Sequence, residues 1–462
     1  MKTKHLVSMV SFLVFSIIAV VITINLKRNS YADNSKVVEN NSYDFLIYNT
    51  ESSLEDCFNK LVSEYTTVSG IVPAVINKDS ELLYNFNANS VPDVFMVKTF
   101  DEIKVQVQYG NIMDFLNASE KTFQECTKNI PEVIRARINN INNCGIPLTI
   151  NGVGWAVNQR LLANIFGEDS YKNVINDLIT CSYNDFENFV NNIKSSSVTL
   201  NGKTYSIKNP PSIESIFSFP VDFSVAKLLN TSLASVFETP SDLSHSENLS
   251  NMSGKFSNWL CMLDLVTSKS SIGRGPNFVS LDKNSRSRAI KEFVLGKSLF
   301  LFADSADFNE INEYNAELAS HLTFIPVKIP VDFNESRDLN TNLTVYCPYY
   351  LMVNAKSPKA KMAQDFLTWI VSSPVAKKYL LEDAGCVSYD IQDPNTIENT
   401  LSRSAINYLQ TENVLAPVFQ GAKKTWLNSI YQHLTKKYLT VNNWSSVYFS
   451  NFDDFCIKKW LY

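Results

Sequence analysis

Two α/β lobes, with the chain passing between them, are what the sequence predicts, and three observations carry this. Between residues 43 and 144, short β-branched runs alternate with helical spacings, the pattern of a mainly parallel sheet flanked by helices. Gly145–Asn158, GIPLTINGVGWAVN, then sets a polar, glycine-rich corner (Thr149 to Gly154) between two apolar runs, and new helices follow. Val345–Val353 finally reads as a buried strand running into an amphipathic helix. The corner marks where the chain leaves one lobe for the other, facing the cleft between them, and the late strand is the way back.

The elements follow in order. Leu6–Leu26 is 21 residues without a charge, preceded by Lys2 and Lys4 and followed by Lys27 and Arg28. A cleaved signal has an apolar core of ~7–15 residues, whereas ~18 or more suit a membrane-spanning helix. Ser30-Tyr31-Ala32 nevertheless offers a cleavage site after Ala32. Residues 1–32 are therefore expected to be a signal anchor or a signal peptide, followed by an Asn/Ser-rich linker over 33–42. The body is expected at the extracellular face of the membrane, tethered by this transmembrane helix, or secreted if cleaved.

Phe45–Tyr48, Ile71–Ile76 and Val94–Val97 read as strands, and Leu54–Tyr65 has helical spacing. Ligands of open α/β sheets sit beyond the carboxyl ends of strands, which points to Asn49–Ser52 and Lys98–Asp101 and makes Asn49 and Lys98 candidate ligand-binding residues. Asn151 joins them, because an amide that both donates and accepts at a lobe crossing suits a hydroxyl-rich ligand. Past the corner, three helices lead to Val198–Ile207, which alternates around Asn201-Gly202 and reads as a hairpin. A proline-bearing loop is expected over Asn209–Pro220, with Phe217 facing a cleft, and helix is expected again over Val225–Leu233 and Phe256–Val266. Lys359–Val371 is an amphipathic helix, and the tail is mostly helical. The expected partition is 43–144 with 325–372 in an N-lobe, and 145–324 with 373–462 in a C-lobe.

Composition narrows the function. The chain has 462 residues, 45% hydrophobic, enough for two packed cores. Beyond residue 32 it carries 37 basic against 46 acidic side chains, a balance of −9 that argues against nucleic acid as a partner. The eight cysteines are scattered, with no CxxC, and there are four histidines, so no zinc site and no cofactor is expected; most thiols should be buried, and Cys126–Cys144 is the one bridge considered. There is no Gly-x-Ser-x-Gly, no His-Glu-x-x-His and no Gly-x-Gly-x-x-Gly.

Thr344–Ile370, TVYCPYYLMVNAKSPKAKMAQDFLTWI, resembles the sugar-binding extracellular solute-binding proteins of bacterial ABC importers, the family 1, maltose-binding-protein-like class. There a strand ending in Asn-x-x-Ser-Pro (here Asn354, Ser357, Pro358) leads into a helix carrying Ala and Phe-Leu (Ala363, Phe366, Leu367). Gly145–Asn158 is similar to that family's first crossing, Phe293 with Gly296-Lys297-Ser298 to its Phe-x-x-Gly-Lys segment, and Pro92-Asp93-Val94 to its Pro-Asp-Val strand. The matches span roughly residues 43–440 in order.

This resemblance implies a type II, periplasmic-binding-protein-like fold, two lobes hinged around a cleft, and no enzyme activity. It implies a small-molecule ligand, a mono- or oligosaccharide, and ABC permease subunits as partners. Glu214–Pro220 resembles the family loop that offers an acid and aromatic faces to sugar, which nominates Glu214 and Phe217, although Ile216 replaces its Tyr. Pro417 with Trp426 looks like the late helix whose Trp stacks on a sugar ring. Asn151 stands where the maltose binder has a carboxylate, and Asp304-Ser305-Ala306-Asp307 where the family has a Trp. Two other readings share the fold: a membrane-anchored sensor or interaction protein without transport, and a thiaminase-like enzyme with a nucleophilic Cys at the first crossing. Against the second, Cys144 lies seven residues before Asn151.

Overall fold

The first strand, β1 (Phe45–Asn49), sets the pattern of everything that follows it in the N-lobe. In a computed structural model, the structure describes residues 43–77, 92–98, 106, 110–118, 120–138, 141–220, 228, 255–271, 273–276, 285–330, 339–416 and 424–461. Leu6–Leu26, the 33–42 linker and nearly all of the expected helix Val225–Leu233 lie outside the described residues. Among those described, no helix is long and apolar enough to cross a membrane.

From β1 the chain passes through a short 3-10 turn into α1 (Glu55–Ser69), whose Cys57, Phe58, Leu61 and Tyr65 recur at helical spacing and are all buried. Next come β2 (Pro73–Asn77), β3 (Val94–Val97), α2 (Lys121–Lys128), β4 (Ala136–Ile138) and β5 (Ile141–Pro147). β1 pairs in parallel with both β2 and β3. All four residues of β3 are buried, because helices cover one face of this sheet and a second apolar cluster around Phe95, Val97 and Cys144 covers the other.

The chain then crosses into β6 (Asn151–Asn158), the spine of the second lobe. Helices α3 (Gln159–Phe166), α4 (Tyr171–Thr180) and α5 (Tyr183–Asn192) follow, then the hairpin β7 (Ser197–Leu200) and β8 (Lys203–Ser206). The hairpin turns on Asn201 and Gly202, both at positive φ (48° and 72°), as the Asn-Gly pair requires. Strand β9 (Ser215–Ser218), helices α6 (Lys255–Ser268) and α7 (Ser285–Val294), strand β10 (Ser298–Asp304), helices α8 (Asp307–Tyr314) and α9 (Ala316–Ala319), and strand β11 (Leu322–Ile325) complete this passage.

β12 (Leu343–Tyr346) and β13 (Tyr350–Val353) come next. The sequence reads as one continuous strand here, but the two segments belong to different sheets: β12 pairs with β6, and β13 with β3 and β5. Pro348 lies at the break, where its missing N–H could not serve a ladder. The last elements are α10 (Ala360–Ser372), α11 (Pro374–Ala384), α12 (Thr400–Gln410), the edge strand β14 (Val414–Leu415), α13 (Lys424–His433) running into a π-helical turn at Leu434–Tyr438, and α14 (Ser446–Leu461).

The N-lobe sheet has the order β2-β1-β3-β13-β5-β4, and the C-lobe sheet β14-β12-β6-β10-β9, with β11 on β6. This topology corrects the expected partition. β11 and β12 lie in the C-lobe sheet, so the return to the N-lobe falls between Tyr346 and Tyr350, not at residue 325. Helix α11 packs on α1 and stays with the N-lobe, whereas α12 packs on β6, β11 and β12. The third crossing therefore lies between these two helices, not at residue 372.

β6 explains the composition of the corner. Val153, Trp155 and Val157 face one side and join the larger C-lobe core; Gly152, Gly154 and Ala156 face α12. A Cβ on Gly152 would sit 2.8 Å from that of Ala405, and one on Gly154 2.8 Å from the carbonyl oxygen of Ile325. The glycines allow this close approach of strand to helix and neighbouring strand. On the opposite face Trp155 packs with Phe217 and Phe302, at ring centroid distances of 4.8 and 5.2 Å, and each such buried aromatic contributes about 2–3 kcal/mol.

Candidate functional site

Three extended segments lie side by side where the lobes meet. Leu148 N–H donates to Tyr349 O (3.0 Å) on one side of the first crossing, and Ile150 N–H to Val387 O (2.9 Å) on the other. Thr149 Oγ1 also accepts from Val387 N–H (2.9 Å). The first crossing is thus the middle of three segments, held by backbone bonds to the second and third.

On the N-lobe side, β1 and β3 end at this junction. Asn49 is buried and donates to Asn77 Oδ1 and Glu51 O, both at 2.8 Å, while its own Oδ1 accepts the Glu51 N–H. That clamp shapes the turn after β1. Glu51 caps the 3-10 turn by accepting from Ser53 N–H (3.3 Å) and Ser53 hydroxyl (2.9 Å), and pairs with Lys98 at 2.7 Å. Burial pushes the Glu51 carboxyl pKa up, but the bonds from Lys98 and Ser53 outweigh it and hold the group below its ordinary range. Val97 lies opposite Tyr350, so the next residue on each strand brings Lys98 beside Tyr349. Burial raises the Tyr349 phenol pKa, and the charge of Glu51 adds to it.

On the C-lobe side, Asn151 lies opposite Tyr346 in the β6–β12 pair. Asn151 Nδ2 donates to Asp304 Oδ1 (3.0 Å), Tyr346 hydroxyl donates to Asp304 Oδ2, and Ala306 N–H donates to Oδ1 (2.9 Å). Asp307 accepts the Asp304 N–H (2.6 Å) and a two-pronged pair from Arg286. Burial, then the Asp304 charge, drives the Tyr346 phenol far above its usual pKa, so it stays a donor. Gly152 N–H donates to Ser305 Oγ (2.8 Å) and Asn399 Nδ2 to Ser305 O (3.0 Å), tying the start of α12 to the same corner.

Lys98 and Asn151 therefore lie at the junction, with Tyr346, Tyr349 and Asp304, which the sequence reading did not single out; Asn49 lies farther off, at the end of β1, linked to it through Glu51, also not singled out. Glu51 lay within the segment that the strand-end argument marked, and Asp304 within the stretch noted for lacking the family Trp. The tyrosines carried no signal beyond their place in the return strand.

The other three candidates lie elsewhere. Phe217 is in β9, fully buried, stacked on Phe300 at 5.5 Å and against Trp155; the expected loop is a core strand there. Its burial follows from neighbours on both faces: Ile216, Phe217 and Phe219 all need cover. Trp426 is 2% exposed, donates its indole N–H to Cys456 O (2.8 Å) and packs on Phe256. It fills the helical core of the C-lobe instead of presenting a ring to a ligand. Pro417 lies outside the described residues. Glu214 pairs with Lys297 at 2.8 Å, next to the start of β10, whereas Asp304 ends that strand. The length of β10 thus separates Glu214 from the crossing.

The thiols offer no nucleophile at the junction. Cys144 is a buried residue of β5, its pKa pushed up to about 12 by burial, and Cys347 in the second crossing is likewise pushed up to about 12. Cys126 and Cys144, considered as a bridge, are both free thiols. Among the described residues, no group of His, Cys, Asp and Glu is arranged to hold a metal ion.

No family model matches the sequence, and no curated protein matches it. Solved structures do match. A binding protein, MsmE, of Bacillus subtilis in an open conformation superimposes with a TM-score of 0.61 at 16% identity, over 90% of this chain and 96% of its own. A family 1 extracellular solute-binding protein of Bifidobacterium longum subsp. infantis gives 0.61 at 12% identity, over 90% and 98%. RafE of Streptococcus pneumoniae in its apo form gives 0.58 at 14% identity, over 90% and 97%. At these identities the likeness is one of fold. The chain has the two-lobe fold of the family 1 extracellular solute-binding proteins, as the resemblance in its sequence implied.

Proposed function

We propose that this chain is the extracellular substrate-binding component of an ABC importer and takes a carbohydrate in the cleft between its lobes by hinge closure. The observation that carries this reading is that hydrogen-bonding groups of both lobes, Asn49, Glu51 and Lys98 on one side and Asn151, Tyr346 and Asp304 on the other, lie at strand ends near three crossings that run side by side. Amides, carboxylates, an ammonium and phenols around a closing cleft suit a ligand whose rim is hydroxyls. The solved relatives add support: RafE has been crystallised with raffinose, and a cyclo/maltodextrin-binding protein of the same fold with maltotetraose (TM-score 0.54).

Ligand would hold the closed state by its differential affinity for closed over open, and the importer's permease subunits would receive that closed form. In this reading the uncharged run Leu6–Leu26 supplies attachment to the membrane. The test is a thermal-shift screen of residues 33–462 against mono- and oligosaccharides, amino acids and thiamine-like compounds, since a ligand that binds the native state raises apparent stability. A shift with one sugar class alone supports the assignment; a shift confined to another class removes it. Deletion in the source cell, with loss of uptake of that sugar, separates transport from a sensor role.

A further inference from the structure

Among the described residues near the crossings, Lys98 and Arg286 are committed to carboxylates of this chain. Lys98 Nζ lies 2.7 Å from Glu51 Oε2, and Arg286 grips Asp307. Asp304 adds another carboxylate, which accepts from Asn151, Tyr346 and the Ala306 N–H. Glu51 acts at two places at once: it answers the Lys98 ammonium, and it accepts the Ser53 N–H at the start of the turn that leads into α1. Those are the features on the N-lobe side that would otherwise attract an anion. The pair is partly sheltered, with Glu51 and Lys98 side chains 21% and 31% exposed, so the charge is not simply lost to solvent.

We propose that Glu51 is a specificity-determining residue, a built-in anion that reserves the cleft for uncharged or cationic glycans and turns away acidic ones such as uronic acids. This rests on the carbohydrate reading above. A uronate entering beside Lys98 would have to displace Glu51 or sit next to it. Placing like charges together in a cleft that loses water on closure discriminates strongly, and a repulsive group can set specificity as well as an attractive one.

The experiment uses residues 33–462, wild type and Glu51→Gln, Glu51→Ser and Glu51→Ser/Lys98→Met, with calorimetry at low ionic strength. Glu51→Ser keeps an oxygen that can cap the turn, so it carries the test if Glu51→Gln does not fold. The probes are α-1,4-galactobiose, α-1,4-digalacturonate, which differs from it only by carboxyls, and sulfate as an anion without a sugar. Wild type should bind digalacturonate no better than galactobiose. The Glu51 variants should gain roughly tenfold for digalacturonate and acquire measurable sulfate binding, and the Lys98→Met change should remove both gains. Wild-type preference for digalacturonate, no anion gain in either single variant, or a gain that survives without Lys98 each overturns the proposal. If sulfate binding appears in Glu51→Ser while no neutral glycan of the screen binds wild type, the charge role of Glu51 stands and the carbohydrate reading falls.

Discussion

Asn151 and Tyr346 face each other across the hinge ends of β6 and β12, and their side chains converge on the two oxygens of Asp304. One residue belongs to the strand by which the chain arrives in the C-lobe and the other to the strand by which it leaves. Asp304, at the end of β10, ties both ends of that passage to the same sheet. The corner is therefore fixed by side chains as well as by the backbone bonds among the three crossings.

The glycines of β6 should be replaceable to different degrees. Gly152→Ala meets the Cβ of Ala405 at 2.8 Å, a side-chain contact, whereas Gly154→Ala meets the backbone oxygen of Ile325 at 2.8 Å and Leu343 Cδ1 at 2.9 Å. Each should cost about 1–3 kcal/mol. The double variant Gly152→Ala/Ala405→Gly should recover part of the loss, because it returns the space, while Ala405→Gly should do nothing for Gly154→Ala. Urea midpoints at constant m-value decide it. Equal behaviour of the two glycines would mean that α12 moves away freely.

Trp426→Ala should act on stability. The side chain is buried, packs on Phe256, and its N–H satisfies Cys456 O, so truncation should cost about 3–5 kcal/mol. Trp426→Phe keeps much of the volume and removes only the indole N–H bond to the Cys456 carbonyl, at about 1–2 kcal/mol. With a sugar in hand, the affinity of folded Trp426→Phe should match wild type. A loss of affinity without loss of stability would restore the ring to the ligand.

Much of the fold was legible because its signals are local. The Asn201-Gly202 turn, the helical spacing of α1 and the glycine-rich corner that opens β6 are each dictated by a few neighbouring residues. β9 was not legible, because Pro210, Pro211 and Pro220 mark a loop while only the four residues Ser215–Ser218 between them pair with β10. The split at Cys347–Tyr349 was hidden for a related reason: both halves are apolar strands, and only topology assigns them to different sheets. As for the candidate site, Asn49 and Lys98 were legible as residues just at strand ends and Asn151 as an amide at a lobe crossing, and the structure puts them at those places. Phe217 and Trp426 did not, since an aromatic at a regular spacing looks the same whether it meets a ligand or a core.

His433 should make stability fall on acidification. Its ring stacks on Phe455, with centroids 3.7 Å apart and planes at 4°, and burial, then the Lys437 charge, lowers its pKa from the ordinary 6.5. The unfolded chain then binds the proton more readily than the folded one. The contribution is present above the unfolded pKa and is lost as pH falls from there through the folded value. His433→Phe preserves the stack and removes the titration. Below pH ~6.5 its midpoint should decline less steeply than that of wild type, and parallel curves from pH 7.5 to 5 would exclude the residue as a source of the slope.

Asn151→Asp tests the clamp most directly. Asn151 donates to Asp304, and a carboxylate in its place turns that donor into a second acceptor beside an existing acid. At neutral pH two like charges then share one corner, and the variant should be less stable than wild type by about 2–3 kcal/mol. The sign with pH follows from the pair. In the folded variant one carboxyl has its pKa raised above the unfolded value, so the variant recovers stability as pH falls through that raised pKa, when a shared proton restores a donor between the two oxygens. The gap between variant and wild type should therefore be widest near neutrality and narrow below pH ~6, which thermal midpoints across pH 4.5–8 would show. Asn151→Ser, uncharged and shorter, is the control, and its gap should not change with pH. A gap in Asn151→Asp that is equally flat would mean that the new carboxylate turns away to solvent, and that Asp304 holds the corner through Tyr346 and the Ala306 N–H without it.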